Sequence, residues 1–351
     1  MKKLLAITLA LCMILGLAAC GESTTAASSA PAAASAGSDA QPAGNSGAAG
    51  TVATADTDTV AVGAVVIARD DVNEDEIYQF VSTIFENKDA ITQQHAKGGE
   101  LDLAFASGVT SVPYHPGAAK YFAEKGFEVA AVKDGAGTGA KGSLTFGTGG
   151  DTGTYYGFGS VLANYVSSNT DFSVTAVTSG GSKANVEDMD ANDVQLGFVQ
   201  SDVMSYAYNG ERLFETPVAG FSVVAALYME QVQIVTTNPA IASVADLVGR
   251  NVSIGAVGSG VYFNAIDVLG AYGLSESDIK PVYQSFGDSA DSLKDGKIDA
   301  AFIVAGAPTT AITDLAASGS VYLVSLDKEH TDALLAASPF YSAYTIPAGT
   351  Y

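Results

Sequence analysis

From residue 144 onward, the sequence alternates short apolar runs with helix-type segments, and most junctions between them are polar and rich in glycine. Seven stretches have strand character: 144–147, 172–177, 195–199, 221–236 as a pair of strands, 251–255, 298–304 and 321–325. Three helices are predicted between them, each opened by a capping residue: Ser182 before 184–189, Ser243 before 244–248 and Asp288 before 289–293. Repeated strand–helix–strand order forms parallel sheets covered by helices on both faces. The sequence therefore predicts an α/β fold.

A smaller segment, residues 51–133, precedes this part and is joined to it by the flexible, glycine-rich linker 134–142. It contains an apolar strand at 60–68, a helix that begins near Asn73 and a short helix that begins after His115. One strand and two helices do not form a stable domain by themselves. We therefore expect this segment to dock on the larger part.

The larger part is long enough for two lobes. Lobe 1 is predicted at 143–230 and is completed by the segment 51–133. Lobe 2 is predicted at 231–325, with 326–351 returning towards lobe 1. The strands near 60–68 and 221–236 are expected to cross between the lobes. Hinge motion about these strands would close the lobes over a ligand.

The N-terminus has the layout of a secretory signal, because two lysines precede an apolar run at 4–17 that is too short to span a bilayer. The sequence Leu-Ala-Ala-Cys that ends at Cys20 resembles the bacterial lipobox. Residues 1–20 are therefore predicted to be a lipoprotein signal peptide, with Cys20 as the lipidation site. The alternative is an ordinary signal with an incidental cysteine. Residues 21–50 have the composition of a disordered tether, so we expect an extracytoplasmic protein anchored by lipid to the bacterial membrane.

The formal charge of −22 argues against binding to nucleic acid. Only three arginines occur, Arg69, Arg212 and Arg250, so we expect an anionic ligand to be held by groups other than an arginine cluster. Catalytic motifs such as G-x-S-x-G and H-E-x-x-H are absent from the sequence, and the three histidines lack metal-ligand spacing. We expect a monomeric binding protein without metal or cofactor, and not an enzyme.

Four polar loops follow predicted strands, at the carboxyl ends where open α/β sheets bind ligands. The predicted ligand-binding residues are Thr148, Gly149, Gly150, Asp151, Thr152, Gly153, Thr154, Tyr155, Ser179, Gly180, Gly181, Ser182, Asn185, Gln200, Asp202, Ser259, Gly260 and Tyr262. Loops that open helices present backbone N–H groups to an anion, so a carboxylate is the expected ligand. For the first loop, the alternatives are a nucleotide site, without the Gly-Lys-Ser/Thr ending, or a tight turn only.

Side chains in these loops have more than one possible role. Asn185, Gln200 and Ser259 are expected to complete the hydrogen bonds to the carboxylate. Tyr155 and Tyr262 either cover the ligand or pack in the core. Asp202 is either a ligand group or a helix cap.

The loops resemble the TAXI-type solute-binding proteins of TRAP transporters. The matching stretches are 144–156, 178–185, 196–209 (LGFVQSDVMSYAYN), 257–264 and 293–312 with its core FIVAGAPTTAI. This resemblance implies a two-lobed periplasmic-binding-protein-like fold of type II. It also implies a ligand such as glutamate or a related dicarboxylate, passed to the membrane subunit of a TRAP transporter. Asp151 and Thr152 depart from the family pattern, which has other small residues at these positions. A carboxylate at 151 would either repel the ligand's carboxylate or attract an ammonium group.

The order of the chain also departs from that family. In such proteins the segment that resembles 59–126, with IFENKDAI and VPYHPGAAKYF, comes last, after a stretch like YTIPAGTY at 344–351. The chain therefore resembles a circular permutation joined through 134–142. A displaced segment that arose by an assembly error is the alternative.

The function predicted from the sequence is capture of a small carboxylate and its delivery to a TRAP permease. Two other classes stay open. One is a ligand sensor that docks on a membrane signalling receptor, and the other is an extracytoplasmic hydrolase.

Overall fold

A computed structural model describes residues 55–351 of the chain. The predicted signal peptide, the lipidation site Cys20 and the tether 21–50 lie outside the described residues. Within 55–351, no helix is long and apolar enough to cross a membrane.

Ten strands occur in the described part of the chain. They are β1 (Thr57–Arg69), β2 (Leu144–Gly147), β3 (Val174–Val177), β4 (Leu196–Gln200), β5 (Phe221–Thr236), β6 (Asn251–Ser253), β7 (Lys280–Val282), β8 (Ala300–Ala305), β9 (Tyr322–Leu323) and β10 (Ser342–Ile346).

Eleven α-helices are described over the same residues. They are α1 (Glu74–Glu86), α2 (Lys88–Thr92), α3 (Leu103–Ala106), α4 (Pro116–Glu124), α5 (Thr154–Asn169), α6 (Ser182–Asp190), α7 (Ser201–Asn209), α8 (Val261–Ala271), α9 (Phe286–Lys294), α10 (Thr310–Ser318) and α11 (Lys328–Ala337). Short 3₁₀ helices lie at Ala96–Glu100, Val244–Leu247 and Glu276–Asp278.

The strands hydrogen-bond in the order β3-β2-β4-β1-β5-β8-β6-β7, with β10 paired to β1 and β9 paired to β5. Pairing is parallel within β3-β2-β4 on one flank and within β8-β6-β7 on the other. The two central strands are antiparallel to each other and to their outer neighbours. Parallel flanks covered by helices confirm the predicted α/β class.

The central strands β1 and β5 contribute to two hydrophobic cores. Residues 64–68 of β1 lie in the first core, with β2, β4 and α5, whereas Val60 and Val62 lie in the second, with β6 and α8. In β5, residues 221 and 223–228 belong to the first core, and Val232 and Ile234 belong to the second. Both strands therefore pass from one core to the other, as expected for crossover strands.

Residues 221–236 form one continuous strand of 16 residues, so the predicted pair of strands is wrong. The run contains neither glycine nor proline, and a hairpin turn would need such residues. A third, smaller core forms where α9 and α10 pack beside β5 and β8.

Several predicted helix starts are confirmed, and two are displaced. Asn73 caps α1 and His115 caps α4 through their side chains, as the sequence predicts. Ser182 is the first residue of α6, after the N-cap Gly181. The cap of α9 is Ser285, whose hydroxyl accepts the N–H of Asp288, so the predicted cap Asp288 is wrong.

The described part of this segment, residues 55–133, packs on the first core through α1 and α4, which bury aromatic and aliphatic side chains there. The linker expected to be flexible is hydrogen-bonded to this segment. Gly137 N–H donates to Asp70 O at 2.8 Å, and Asn73 Nδ2 donates to Gly139 O at 2.8 Å. The linker therefore lies against the connection between β1 and α1.

The last segment, 326–351, was expected to return towards lobe 1, but most of it lies on the second core. Leu334 of α11 and Tyr341 are buried there, and Phe340 packs against the first core. Strand β10 pairs antiparallel with the start of β1, with Ile346 opposite Thr57. Both ends of the described chain therefore meet at one strand pair.

Candidate ligand-binding site

A cavity of about 80 Å³ lies where loops from the two cores meet. Its wall includes the loops that follow β2, β3 and β6, which leave the carboxyl ends of parallel strands. A water molecule needs roughly 10–15 Å³ of such space, so the cavity holds several water-sized groups. This volume suits a small solute.

Twelve of the residues predicted from the sequence line this cavity. They are Gly149, Gly150, Gly153, Thr154, Tyr155, Ser179, Gly180, Gly181, Ser182, Gln200, Ser259 and Gly260. The first and last of these residues, Gly149 and Gly260, are more than a hundred positions apart in the sequence. The structure therefore brings loops from both flanks of the sheet together at one cavity.

Three helices begin at the cavity wall, each after a glycine. The N-caps are Gly153 for α5, Gly181 for α6 and Gly260 for α8, and none of these caps makes a side-chain hydrogen bond. The first four N–H groups of a helix have no intrahelical partner. Each helix start also carries about half an elementary positive charge. Three such starts around one cavity have the chemistry to bind an anion.

Two of these glycines are required by geometry. Gly181 has φ of 104°, in the left-handed region that side chains avoid. A Cβ on Gly260 would lie 1.7 Å from Gln200 Oε1. The close approach of backbone to the cavity therefore depends on the absence of a side chain at both positions.

The charge balance of the cavity differs from that of an arginine-based anion site. Among the described residues that line it, none is lysine or arginine. Glu230, in β5, is the carboxyl side chain in the wall and is 2% exposed. Burial raises the pKa of Glu230 to about 8, and the hydrogen bond from Tyr155 opposes that rise.

Tyr155 lies in the wall and does not cover the ligand as a lid. Its ring stacks on Phe198 with centroids 4.6 Å apart, and its hydroxyl donates to Glu230 Oε2 at 2.8 Å. Burial raises the pKa of Tyr155 well above its ordinary value. The phenol therefore stays a hydrogen-bond donor.

Gln200 belongs to a chain of hydrogen bonds that leads away from the cavity. Its Nε2 donates to Asn264 Oδ1 at 3.0 Å, and Asn264 Nδ2 donates to Tyr341 OH at 2.9 Å and to Asp202 Oδ2 at 3.0 Å. Tyr341 OH in turn donates to Asp267 Oδ2 at 2.9 Å. Within residues 55–351, Gln200 Oε1 is buried without a hydrogen-bond partner.

Two predicted ligand residues support the loops from behind. Asn185 is fully buried, and its Nδ2 donates to Thr148 O and Phe198 O, both at 2.7 Å. Thr148 Oγ1 donates to Val177 O at 2.6 Å. Asn185 and Thr148 therefore fix the strand ends and do not face the cavity.

Four other predicted residues also lie outside the cavity wall. Asp151 is exposed, and the Thr152 carbonyl accepts the N–H of Ala311 at 3.3 Å. The Tyr262 hydroxyl donates to a glutamate at 2.9 Å. Asp202 is fully buried in the hydrogen-bond chain, and burial raises its pKa to about 7.

The wall also contains residues that the sequence analysis missed: Glu230, Ala256, Val261, Ser285, Phe286, Val304 and Ala305. Ser285 could have been predicted to cap a helix, because Ser285 and Asp288 have the spacing of a capping box. The aliphatic positions give no such signal.

Contacts between the two sides close the cavity. Ala184 N–H donates to Gly258 O at 3.0 Å, and Thr154 Oγ1 donates to Gly306 O at 3.0 Å. The described residues contain no cluster of His, Cys, Asp and Glu that would hold a metal ion.

A sequence model described as the NMT1-like family matches residues 45–126 and 146–351. The chain belongs to the NMT1-like family. The unmatched stretch between these ranges contains the linker 134–142. This family match is coarser than the TAXI resemblance, which stays a prediction.

Solved structures that resemble this NMT1-like protein include solute-binding proteins. The alkanesulfonate-binding protein SsuA from Xanthomonas axonopodis pv. citri, bound to MOPS, is 20% identical with a TM-score of 0.37 over 53% of this chain and 61% of that chain. The periplasmic aliphatic sulphonate binding protein SsuA from Escherichia coli is 16% identical with a TM-score of 0.35 over 53% and 60%. An ancestral arginine-binding protein bound to arginine is 16% identical with a TM-score of 0.37 over 53% and 79%. The chain thus spans about three fifths of the length of the two sulfonate-binding proteins.

Proposed function

We propose that this NMT1-like protein is an extracytoplasmic solute-binding protein that captures a small carboxylate and delivers it to a membrane permease. The observation that carries this proposal is the closed cavity between two cores, where the starts of α5, α6 and α8 meet without side-chain caps. Free backbone N–H groups bind a carboxylate through charge-assisted hydrogen bonds.

The mechanism is capture, closure and release. A ligand that contacts both sides of the cavity favours the closed arrangement, since its contacts are complete only there. Strands β1 and β5, which contribute to both cores, are the crossover segments about which the lobes would move. The proposed lobes are the two cores with their covering helices.

The finer assignment is a TAXI-type protein that passes glutamate or a related dicarboxylate to a TRAP permease, held at the membrane by lipid on Cys20. The sequence resemblance and the lipobox support it. Uptake of labelled solute should then require both this protein and a TRAP membrane subunit. Uptake that persists without the TRAP subunit contradicts that partner.

Binding is tested by titration calorimetry of the purified protein with glutamate, succinate and a neutral sugar. We expect a carboxylate to bind and the sugar not to bind. Gly260→Ala should abolish binding because the new Cβ collides with Gln200. Gly270→Ala is the matched control, since it lies in the same helix α8 and its Cβ meets no atom within 4 Å. Equal loss in both variants, or turnover of the bound solute, contradicts the proposal.

We also propose that the chain order is a circular permutation. The meeting of β1 and β10 supports it, with Ala348 N–H donating to Asp56 Oδ1 at 2.9 Å. A rearranged chain in which 51–133 follows residue 351 should unfold with the same midpoint and bind the same solute. A rearranged chain that does not fold contradicts the permutation.

A further inference from the structure

We propose that Phe286 limits the length of the ligand's carbon chain, so that this side chain determines which carboxylates the cavity accepts. This inference rests on the proposed carboxylate-binding function and concerns a different part of the cavity wall from the helix starts. Phe286 is the first residue of α9 and lines the cavity.

The cavity wall combines two kinds of surface. The starts of α5, α6 and α8 contribute glycine and serine residues with free backbone N–H groups. A second group contributes apolar side chains: Ala256, Val261, Phe286, Val304 and Ala305. A carboxylate held at the helix starts would extend its carbon chain along these apolar side chains. Burial of each methylene there should raise the affinity about fourfold, until the chain meets the end of the cavity.

Phe286 differs from the other apolar residues in burial and size. Val261, Val304 and Ala305 are at most 4% exposed and belong to the second and third cores, so core packing fixes them. Phe286 is half-buried and packs at the edge of both of these cores. Its ring is the largest of the five apolar side chains. The size of the cavity can therefore be changed at Phe286 with less loss of core packing than at the other three.

The Phe286 ring extends from α9 to the start of α5. A Cβ on the N-cap Gly153 would lie 3.5 Å from Phe286 Cδ2, so the ring lies against this turn. The neighbouring residues continue the contact, because a Cβ on Gly287 would lie 3.4 Å from Thr152 Oγ1. Helix α5 packs in the first core, whereas Phe286 packs on the second and third. The ring therefore bridges the two sides of the cavity in the closed form.

Hydrogen bonds hold the start of α9 in place. Ser285 Oγ accepts the N–H of Asp288 at 3.2 Å and donates to Asp288 Oδ2 at 2.6 Å. Ser289 Oγ lies 2.8 Å from Ser253 Oγ of β6, which ties α9 to the sheet. A ligand that is too long must therefore push the ring away from α5, since the backbone that carries the ring is fixed. In a packed apolar pocket, one methylene in excess costs about 10- to 200-fold in affinity.

The test is titration calorimetry of the purified protein with three homologous series, in which successive members differ by one methylene. They are the monocarboxylates from propionate to hexanoate, the dicarboxylates from succinate to pimelate, and the acidic amino acids from aspartate to α-aminopimelate. In the series that binds, we expect the affinity to rise to one chain length and then to fall about 10- to 200-fold at the next member. Phe286→Ala should remove this fall and move the best chain length up by at least one methylene.

Two further variants make the test specific to the ring. Phe286→Trp should move the best chain length down, because a larger ring narrows the cavity, and it also tests the proposal if Phe286→Ala does not fold. The sequence contains no other tryptophan, so the emission of the new indole reports ligand contact directly. Phe85→Ala is the matched control, since Phe85 is a half-buried residue of α1 that packs against the first core and does not line the cavity. It should lower the free energy of unfolding and leave the best chain length unchanged.

The outcomes separate the two proposals. The same best chain length in the unaltered protein, Phe286→Ala and Phe286→Trp, or an equal shift in Phe85→Ala, overturns the size limit and leaves the carboxylate function intact. Affinity that does not depend on chain length in the unaltered protein overturns the size limit as well. Binding of no member of any series overturns both.

Discussion

The ion pair between Arg212 and Asp267 is expected to hold the closed form. Arg212 lies just after α7, and its guanidinium makes two hydrogen bonds to Asp267 of α8, at 2.7 and 3.1 Å. The ring of Tyr206 lies 5.1 Å from the guanidinium carbon. Most buried side chains of α8 belong to the second core, whereas Tyr206 belongs to the first. Opening about β1 and β5 would separate the pair.

The free-energy contribution of the Arg212–Asp267 pair follows from its geometry and its exposure. Exposed ion pairs contribute about 0.2–1 kcal/mol, and hydrogen bonds to charged groups contribute about 1.5–3 kcal/mol. The Arg212 and Asp267 side chains are 32% and 17% exposed and the contact is bidentate, which places the pair at about 1–2 kcal/mol. If the pair forms only on closure, its loss weakens ligand binding by the same amount, or roughly 5- to 30-fold in the dissociation constant.

The assay is a double-mutant cycle with Arg212→Met, Asp267→Asn and the double variant. The dissociation constant of each variant is measured by titration calorimetry with whichever of glutamate and succinate the unaltered protein binds. Most of the loss should appear as faster dissociation in stopped-flow tyrosine fluorescence, since the chain has no tryptophan. Lys328→Met is the control, because Lys328 pairs with Asp332 on the exposed face of one helix and cannot report closure. Dissociation constants within twofold of the unaltered protein, with lower unfolding free energy, would show that the pair survives opening and would refute this reasoning.

Two further predictions concern stability and membrane attachment. Asn185→Ala should lower the free energy of unfolding by about 2–4 kcal/mol, because two buried carbonyls lose a donor; Asn169→Ala, at the exposed end of α5, should cost less than about 1 kcal/mol in the same urea titration. Cys20→Ser should leave an unlipidated precursor that no longer partitions into detergent, and unchanged partitioning would exclude the lipid anchor.

The loops that line the cavity were predictable from the sequence because their signals are local. A glycine-rich loop between a strand and a helix leaves the N–H groups at the helix start free. This holds whatever position the strand takes in the sheet. The same holds for Asn73 and His115, whose capping role depends only on the residues that follow them. Parallel pairing then brings the loop ends together, which is why the first three loops converge on one cavity.

The Glu230 side chain in the cavity wall was not predictable because its position depends on strand register. Glu230 lies opposite Val62 in the β1–β5 ladder, near the irregularity between Ala64 and Val65. Its sequence neighbours show only that a polar residue interrupts an apolar run. Whether such a residue faces a cavity, a core or solvent is decided by where two distant strands cross. Asp151 had the clearer local signal for an acid at the site, yet its loop position leaves it exposed.

A chain of hydrogen bonds links Gln200 in the cavity wall to the Arg212–Asp267 pair. Arg212 fixes Asp267 as an acceptor, Asp267 accepts from Tyr341, and Tyr341 in turn accepts from Asn264. That order fixes the Gln200 amide with its oxygen unpartnered. The same bonds join α8 to β4 and would break on opening, when Gln200 would be free to turn its amide. Removal of the Arg212–Asp267 pair should therefore weaken ligand binding, although neither residue lines the cavity.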